Sequence, residues 1–378
     1  YIRKAAEANP NNPSYAFSYA YSYRETDPVK YDSLSLALVR RFRESEYAVE
    51  TLRLLASNAT NHDIKRAYYQ QLYNWYAAPK TEWARNAMSD YFSFLINSDP
   101  KEAFDLALTM LLQVKTRMLE WQHKLGVAKS FVTARDLLEL QKPTEALAAL
   151  ESVKLTDRLS NSIIDADESL LLFKAEAIAA TGEIQAAYDT LAQYYSKFPS
   201  EKIYTDLISY GNKLGNDTAR VYKDVTSIRS AQARVASPFT LKNYLTGENV
   251  SLNDYKGKVV LLTFWFPGCG PCRAEFPHLE SVIKKFDDKQ VAYLAVNAFA
   301  EQDDYVLPFM KATGYSFVPL KEDATRNQGT LVANGFPTNY LIDQEGRIIF
   351  SKFLIYDENK RSLEMMIQEL LESGKDLR

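Results

Sequence analysis

The sequence is poor in the residues that build disulfide frameworks and metal centres. Cys269 and Cys272 are the only cysteines among 378 residues, and His62, His123 and His278 are the only histidines. Two cysteines exclude a disulfide-rich scaffold and a zinc site of four cysteines. The fold must therefore depend on a hydrophobic core, for which 46% hydrophobic residues are sufficient.

A surplus of one charge and long apolar runs are also lacking. The 45 Lys and Arg against 48 Asp and Glu give a net charge of −3, whereas nucleic-acid-binding proteins usually carry a basic surplus. We therefore expect no nucleic-acid partner. Apolar runs such as Val259–Leu262 are far shorter than the ~18 residues of a membrane-spanning helix. At roughly 100 to 200 residues per domain, the length predicts two or three domains.

Glycine is scarce in the first part of the chain. Residues 1–235 hold four of the 13 glycines, whereas 18 of the 25 tyrosines lie there. Glycine serves tight turns, so the first part is predicted to be helical and the rest to contain many turns. We place the joint within 226–238. The prediction is an all-α domain over 1–230 and an α/β domain over 236–378.

The segment Asp99-Pro100-Lys101-Glu102 carries the signals of a helix start. Asp99 is suited to cap the N-terminus, proline suits the first helical position, and Glu102 is placed to close a capping box. We expect a long helix from here to about Gly126.

Repetition is a further signal in the first domain. Residues 168–199, with Gly182 at the turn and Pro199 at the end, resemble one tetratricopeptide unit; the same spacing recurs over about 128–158, and 9–23 match in part. Stacked helix pairs of this type form curved surfaces that often hold peptides. The tyrosines are suited to such a binding face, or else fill gaps between helices or form a dimer contact.

The second domain is predicted to alternate strands and helices. Predicted strands lie at 239–241 and 250–252 as a hairpin, at 259–265, at 291–296 and near 317, and 340–343 and 347–350 form a second hairpin. Predicted helices cover 270–286, 303–313 and 361–371. This order predicts an α/β sandwich with a mixed sheet.

The strongest chemical signal is the Cys-Gly-Pro-Cys segment of Cys269 and Cys272, placed between a buried strand and a helix. The first turn of a helix stabilises a thiolate, so the pKa of Cys269 should lie below the usual ~8.5. Cys269 is thus predicted to be the nucleophile. Cys272 lies close enough to form a disulfide with it and is predicted to be the resolving thiol, while Arg273 adds positive charge nearby.

These residues resemble the thioredoxin superfamily, and most closely its TlpA/ResA-like thiol-disulfide oxidoreductases. The resemblance covers about 236–378. It rests on the Cys-Gly-Pro-Cys motif, on the segment from Leu252 to Leu262, on Glu275-Phe276-Pro277, and on Gly335-Phe336-Pro337-Thr338 with Ile342-Asp343-Gln344-Glu345-Gly346. It implies a thioredoxin-like fold for this part of the chain.

The resemblance also implies roles for individual residues. Pro337 would be cis and face the disulfide, and the backbone of Phe336 would pair with a substrate; Trp265 and Pro271 complete the substrate-binding set. Glu275 would exchange a proton with Cys272 through water, although an acidic residue near a helix start is equally ordinary. Two departures from the family pattern are Gly268, where a tryptophan is usual, and Thr263, where thioredoxins bury an acid.

The function that follows is the reduction of protein disulfides by dithiol-disulfide exchange, with the helical domain binding a partner or substrate. No cofactor and no metal are expected. The expected partners are a disulfide-containing protein and an upstream thiol-disulfide electron donor. The resemblance implies a location outside the cytoplasm, in the bacterial periplasm or anchored at the membrane through a segment removed upstream of Tyr1.

Three alternatives compete with this function. A zinc site would need His278 and a carboxylate beside the two cysteines. A peroxiredoxin-like peroxidase would need proline at Leu262 and threonine at Phe266. A protein-binding scaffold would use the helical half and leave the other half passive, and a turnover assay that depends on both cysteines distinguishes it from an enzyme.

Overall fold

The computed structural model describes residues 2–24, 27–59, 61–76, 81–113, 117–153, 166–322, 329–356 and 359–374. Contacts divide the chain into two compact units, Tyr1–Ala187 and Tyr188–Arg378. The first unit is helical among its described residues, and the second combines helices with a mixed sheet. This agrees with the fold class predicted from the sequence.

Consecutive helices of the first unit pack as neighbours. They are α1 (Ile2–Ala8), α2 (Pro13–Tyr21), α3 (Pro28–Arg41), α4 (Glu46–Asn58), α5 (His62–Tyr76), α6 (Glu82–Ser98), α7 (Pro100–Gln113), α8 (Met118–Glu139), α9 (Pro143–Glu151) and α10 (Ala166–Ala180), and α11 (Ile184–Tyr195) continues into the second unit. The predicted repeat at 168–199 contains α10 and α11, with Gly182 at a positive φ of 95° between them, whereas 9–23 contains only α2. Their likeness to tetratricopeptide units stays a prediction, and part of the repeat at 128–158 lies outside the described residues.

The start of α7 follows the predicted signal only in part. Asp99 accepts the N–H of Glu102 at 3.0 Å, as an N-cap should. The Glu102 carboxylate instead accepts the Tyr91 hydroxyl at 2.7 Å and pairs with Arg66. The prediction of one long helix to about Gly126 is wrong, because α7 ends at Gln113 and α8 begins at Met118.

Small and aromatic side chains form the core of the first unit. Fully buried alanines let helices approach closely, and Phe92, Trp121 and Phe131 fill the space between them. The tyrosines differ in burial, since Tyr69 and Tyr91 are buried whereas Tyr15 and Tyr21 are exposed. Gap filling is thus one role of the tyrosine surplus.

Lys124 of α8 is a charged residue inside this core. Its side chain is fully buried, its Nζ pairs with Glu120 at 2.8 Å and also donates to Ser89, and it lies 4.8 Å from the centre of the Trp121 ring. Burial lowers the pKa of Lys124, while Glu120 opposes that shift. The pair is therefore a structural element of the helical unit.

Replacing Lys124 with alanine should lower the free energy of unfolding by about 3 kcal/mol, because it leaves a cavity and a partly buried carboxylate without its partner. Urea unfolding of the full chain measures this. Lys142→Ala is the matched control, since Lys142 and Glu145 form a pair on the exposed surface and should change stability by less than about 1 kcal/mol. Equal effects of the two substitutions would contradict the structural role.

The second unit is built on a mixed sheet that, in the described residues, has eight strands in the order β1-β8-β7-β4-β5-β6-β2-β3. Strands β4, β5 and β6 are parallel, and β7 runs antiparallel to β4. The strands are β1 (Arg234–Val235), β2 (Thr240–Asn243), β3 (Asn249–Ser251), β4 (Val259–Trp265), β5 (Val291–Asn297), β6 (Val318–Lys321), β7 (Thr338–Ile342) and β8 (Arg347–Phe353). Every residue of β4 and β5 is buried, as expected of central strands covered on both faces.

The helices of the second unit are α12 (Glu201–Lys213), α13 (Thr218–Gln232), α14 (Gly270–Ile283), α15 (Asp303–Thr313) and α16 (Lys360–Ser373), preceded by the end of α11. Helices α11 and α13 are tied to α16 through Glu369. Its carboxylate accepts the Tyr195 hydroxyl at 2.5 Å and pairs with Arg229, whose guanidinium also lies 5.0 Å from the centre of the Phe350 ring. Residues 188–232 thus fold together with the sheet.

Candidate active site

The site begins where strand β4 passes into helix α14. Cys269 is the N-cap residue of α14, and its Sγ accepts the N–H of Cys272 at 3.2 Å. Pro271 lies in the first turn, where its missing N–H costs no helical hydrogen bond. The sulfur of Cys269 therefore lies at the positive end of the helix, where an anion is stabilised.

Cys269 and Cys272 are joined by a disulfide, with their Cα atoms 5.3 Å apart. Cys269 keeps 4% of its surface exposed and Cys272 keeps none. Attack from solvent can therefore reach Cys269 and not Cys272. The assignment of Cys269 as the attacking sulfur and Cys272 as the resolving one stays a prediction.

Glu275 lies three residues beyond Cys272, about one turn along α14. It is buried, and its Oε1 accepts hydrogen bonds from Nδ2 of Asn339 at 2.8 Å and from the N–H of Ile355 at 2.6 Å. Its Oε2 is buried and has no hydrogen-bond partner within the described residues. A buried carboxyl oxygen without a partner is one that can hold a proton or a water molecule.

Burial raises the pKa of Glu275 to about 7, and the hydrogen bonds from Asn339 and Ile355 act in the opposite direction. A carboxyl group with this pKa is partly protonated at neutral pH. It can therefore either give or take a proton under physiological conditions, which a glutamate with the ordinary pKa of 4.5 does poorly.

Asn339 of β7 connects Glu275 to strand β4. Its Oδ1 accepts the Thr263 hydroxyl at 2.8 Å, and its Nδ2 also donates to the carbonyl of Phe353 at 3.0 Å. The side chains of Thr263 and Asn339 are both fully buried. Thr263 and Asn339 thus form a buried neutral pair, and the Glu275 carboxylate of α14 lies next to it.

Aromatic rings surround the approach to the cysteines. Phe266 and Phe336 are half-buried and pack against the hydrophobic cluster that contains both cysteines, with ring centres 5.5 Å apart. Phe299 is exposed and lies 4.5 Å from Phe266 and 5.5 Å from Phe336. The Phe336–Pro337 bond is cis, as predicted, and Thr338 pairs with Phe264 at the end of β4.

Known proteins resemble this part of the chain. The sequence profile of the AhpC/TSA family matches residues 233–351. The thiol-disulfide oxidoreductase ResA of a Bacillus cereus strain is 32% identical over 126 residues, which are 33% of this chain and 71% of ResA. The thioredoxin-like protein YneN of Bacillus subtilis is 36% identical over 119 residues, 31% of this chain and 68% of that protein.

The C-terminal part of this chain belongs to the ResA family of thioredoxin-like thiol-disulfide oxidoreductases. Among solved structures, the thioredoxin domain of a thiol-disulfide oxidoreductase from Bacteroides vulgatus is 31% identical. The match covers 35% of this chain and 96% of that domain, with a TM-score of 0.30.

Two further predicted substrate-binding residues of the thiol-disulfide oxidoreductase domain differ in exposure. Pro271 is exposed beside the disulfide. Trp265 is fully buried, with Phe276, Phe309 and Phe317 around its ring, so it can influence a substrate only through the residues that cover it. The guanidinium of Arg273 lies 5.9 Å from the centre of the Phe309 ring.

Three residues around the cysteines of this ResA-type domain were not predicted from the sequence. Asn339 holds Glu275, Phe299 adds to the aromatic surround, and Gln302 accepts the N–H of Gly268 at 2.7 Å. Only Asn339 carried a usable signal, because it is a polar residue within an apolar strand that directly follows the Phe-Pro-Thr motif. In the described ranges, no group of three or more His, Cys, Asp or Glu side chains could hold a metal ion.

Proposed function

We propose that this protein exchanges dithiols and disulfides through Cys269 and Cys272, reducing protein disulfides. The observation that carries the proposal is the bond from the Cys272 N–H to Sγ of an N-capping Cys269, with the partner sulfur fully buried. In the reduced enzyme, the Cys269 thiolate attacks a substrate disulfide and expels one substrate thiolate. The thiolate of Cys272 then attacks Cys269 and expels the second, so two electrons pass to the substrate.

Glu275 is proposed to accept the proton of Cys272 and later to return it. The resolving thiol must lose its proton before it can attack, and a buried thiol holds that proton tightly. The free Oε2 of Glu275 and a pKa of about 7 suit it to accept this proton through water. When the electron donor reduces the Cys269–Cys272 bond again, the same group returns the proton to Cys272.

The direction of electron flow is proposed to be reductive. Gly-Pro between the cysteines is the dipeptide of thioredoxin, whose potential of roughly −270 mV lies at the reducing end of the superfamily. Equilibration with glutathione redox buffers, read by alkylation of free thiols, measures the potential. A value near that of a strong disulfide donor, roughly −120 mV, would reverse the proposed direction.

The proposed partners are a disulfide-containing protein and a thiol-disulfide electron donor that reduces the Cys269–Cys272 bond. The proposed location is outside the cytoplasm, in the bacterial periplasm or at the membrane facing it, by analogy with the ResA type. In the described residues, the helices are too short or too polar to cross a membrane.

The helical domain is proposed to select the substrate, which is supported by its covalent fusion to the redox domain and by exposed tyrosines such as Tyr15 and Tyr21. The functional division at 230 to 236 is part of this proposal. The structural unit extends further back, so the test removes residues 1–183 and keeps α11 whole together with Tyr195 and Arg229.

This deletion should leave the rate with a small aromatic disulfide unchanged. With a natural protein substrate it should slow the reaction at least about tenfold, which corresponds to roughly 1.4 kcal/mol of lost binding free energy. Stopped-flow kinetics with both substrates measures the ratio. Selection would be contradicted by equal losses, or by no loss, on the two substrates.

A peroxidase is the second candidate, since the AhpC/TSA profile matches residues 233–351. Leu262 and Phe266 stand where the peroxidase motif requires proline and threonine; Leu262 lies within β4, and Phe266 directly follows that strand. The proposed oxidoreductase should reduce insulin disulfides in the presence of a dithiol donor and consume hydrogen peroxide no faster than a free thiol. The opposite pattern would favour the peroxidase.

A further inference from the structure

Gly268, the residue before the attacking cysteine, is held by a side chain from elsewhere in the fold. Its N–H donates to Oε1 of Gln302 at 2.7 Å. In the same turn, Pro267 has no N–H, and Cys269 donates its N–H to the carbonyl of Phe266 at 3.0 Å. The turn that presents Cys269 thus combines one local hydrogen bond with one long-range bond to Gln302.

The amide of Gln302 also fills the space that a side chain at position 268 would occupy. A Cβ built on Gly268 would lie 2.9 Å from Oε1 and 3.2 Å from Nε2 of Gln302. Any side chain at position 268 must therefore displace the amide. The orientation of the amide is defined, because the N–H of Gly268 is a donor and must face the amide oxygen.

Gln302 itself is presented by a well-anchored turn between β5 and α15. Its N–H donates to the carbonyl of Phe299 at 2.9 Å. That carbonyl also accepts Nδ2 of Asn297 at 3.0 Å, and the N–H of Ala298 donates to the carbonyl of Trp265 at 2.7 Å. The acceptor for Gly268 is therefore fixed to the two central strands that carry the site.

We propose that Gln302 is a positioning residue, which holds the Pro267–Gly268 turn and thereby fixes the direction in which Cys269 meets a disulfide. The proposal rests on the proposed function, in which Cys269 is the nucleophile. Thiol-disulfide exchange needs the attacking sulfur in line with the bond that breaks, so a loosened turn reduces the fraction of encounters that react. Gln302 would act through Gly268 and would not touch the substrate sulfurs.

The test measures how fast the reduced full-length protein reacts with 5,5′-dithiobis(2-nitrobenzoic acid) across a range of pH. Each profile gives the pKa of Cys269 and a limiting rate constant for the thiolate. Gln302→Ala should lower the limiting rate constant about threefold to tenfold, as expected for one lost hydrogen bond.

Gln302→Glu separates positioning from charge. A carboxylate accepts the same N–H, so the limiting rate constant should stay at the wild-type value. Its negative charge beside Cys269 should raise the pKa of the thiol. If Gln302 had a merely structural role, Gln302→Glu would not keep the wild-type rate constant while raising the pKa of Cys269.

Gly268→Ala provides the second arm, because an added Cβ would lie 2.9 Å from Oε1 of Gln302 and forces the amide to shift, which weakens the same hydrogen bond. Gly268→Ala and Gln302→Ala should therefore both lower the limiting rate constant, and the double variant should be no slower than the slower of the two. Glu301→Ala is the matched control. It alters an exposed side chain of the same turn and should react like the wild type.

A wild-type limiting rate constant in Gln302→Ala would overturn the proposal, and so would multiplicative losses in the double variant. Loss of the rate in Gln302→Glu to the level of Gln302→Ala would do the same. Failure of the proposed function looks different, since the wild-type Cys269 would then react no faster than an ordinary exposed thiol.

Discussion

Replacing Cys272 with serine should leave substrate proteins bound to Cys269 as stable mixed disulfides. Cys269 lies at the start of α14 with 4% of its surface exposed, so it can still attack. Without the buried sulfur of Cys272, nothing within the site displaces the bound substrate. Non-reducing electrophoresis and mass spectrometry of the captured species measure the outcome and identify the substrates.

Cys269→Ser is the matched variant of this experiment, because it removes the accessible sulfur and leaves the buried one. It should capture no protein and should lower turnover on a protein disulfide at least about 1000-fold, since the two sulfurs act as a unit. Cys272→Ser should lower turnover to a similar degree despite its capture of substrate. Capture by Cys269→Ser instead would reverse the assigned roles, and turnover without either cysteine would refute the proposed chemistry.

Glu275→Gln should slow the resolving step on the order of 100-fold at neutral pH, the usual range for a lost general acid or base. Glutamine keeps an oxygen that can accept the hydrogen bonds of Asn339 and Ile355, but it cannot take up the proton of Cys272. Stopped-flow measurement of substrate release from the mixed disulfide tests this. The wild-type rate should show an inflection near pH 7, which follows the pKa of about 7, and the variant should lose that inflection.

Glu280→Gln is the control for this substitution. Glu280 is a second buried carboxylate on α14, and it accepts the N–H and the hydroxyl of Ser316 at 3.1 Å and 3.0 Å. Its loss should reduce stability and preserve the inflection. If both variants lost the inflection, or if Glu275→Gln kept it, Glu275 would not be the group that handles the proton.

Glu275 should also make stability depend on pH. The folded-state pKa of about 7 lies above the ordinary value of 4.5, so the folded state binds the proton more tightly than the unfolded one. Ionisation of Glu275 should cost about 3 kcal/mol of stability between pH 4.5 and 7, and the cost should be complete above pH 7. Glu275→Gln should lack this loss, and urea unfolding of both proteins at pH 5 and pH 8 compares them.

Local sequence patterns were sufficient to predict much of the second unit. The apolar run that begins at Val259 forms the fully buried strand β4, as predicted. The predicted helix at 303–313 has the bounds observed for α15. Both elements are encoded by the periodicity and end signals of neighbouring residues. The same holds for the sequence position of Cys269 at the start of α14.

The contacts that tune the site were not predictable in this way. Gln302 reaches Gly268 across 34 positions and Asn339 reaches Glu275 across 64. Such contacts depend on how strands are ordered in the sheet, which one sequence does not reveal. The same limit explains the missed edge strand β1, whose two residues are strand-like only because β8 lies beside them.

The hydrogen bonds around Glu275 all donate toward its carboxylate, directly or through Asn339. Thr263 donates to Asn339, Asn339 donates to Glu275, and Ile355 donates to the same oxygen. The carboxyl group is therefore balanced between dehydration, which favours its acid form, and two dipoles that favour its anion. A group so balanced should respond to small perturbations: an arriving substrate that expelled water would make it a stronger proton acceptor, and departure of the product would reverse the change. The proton affinity of the site would then vary with each stage of the catalytic cycle.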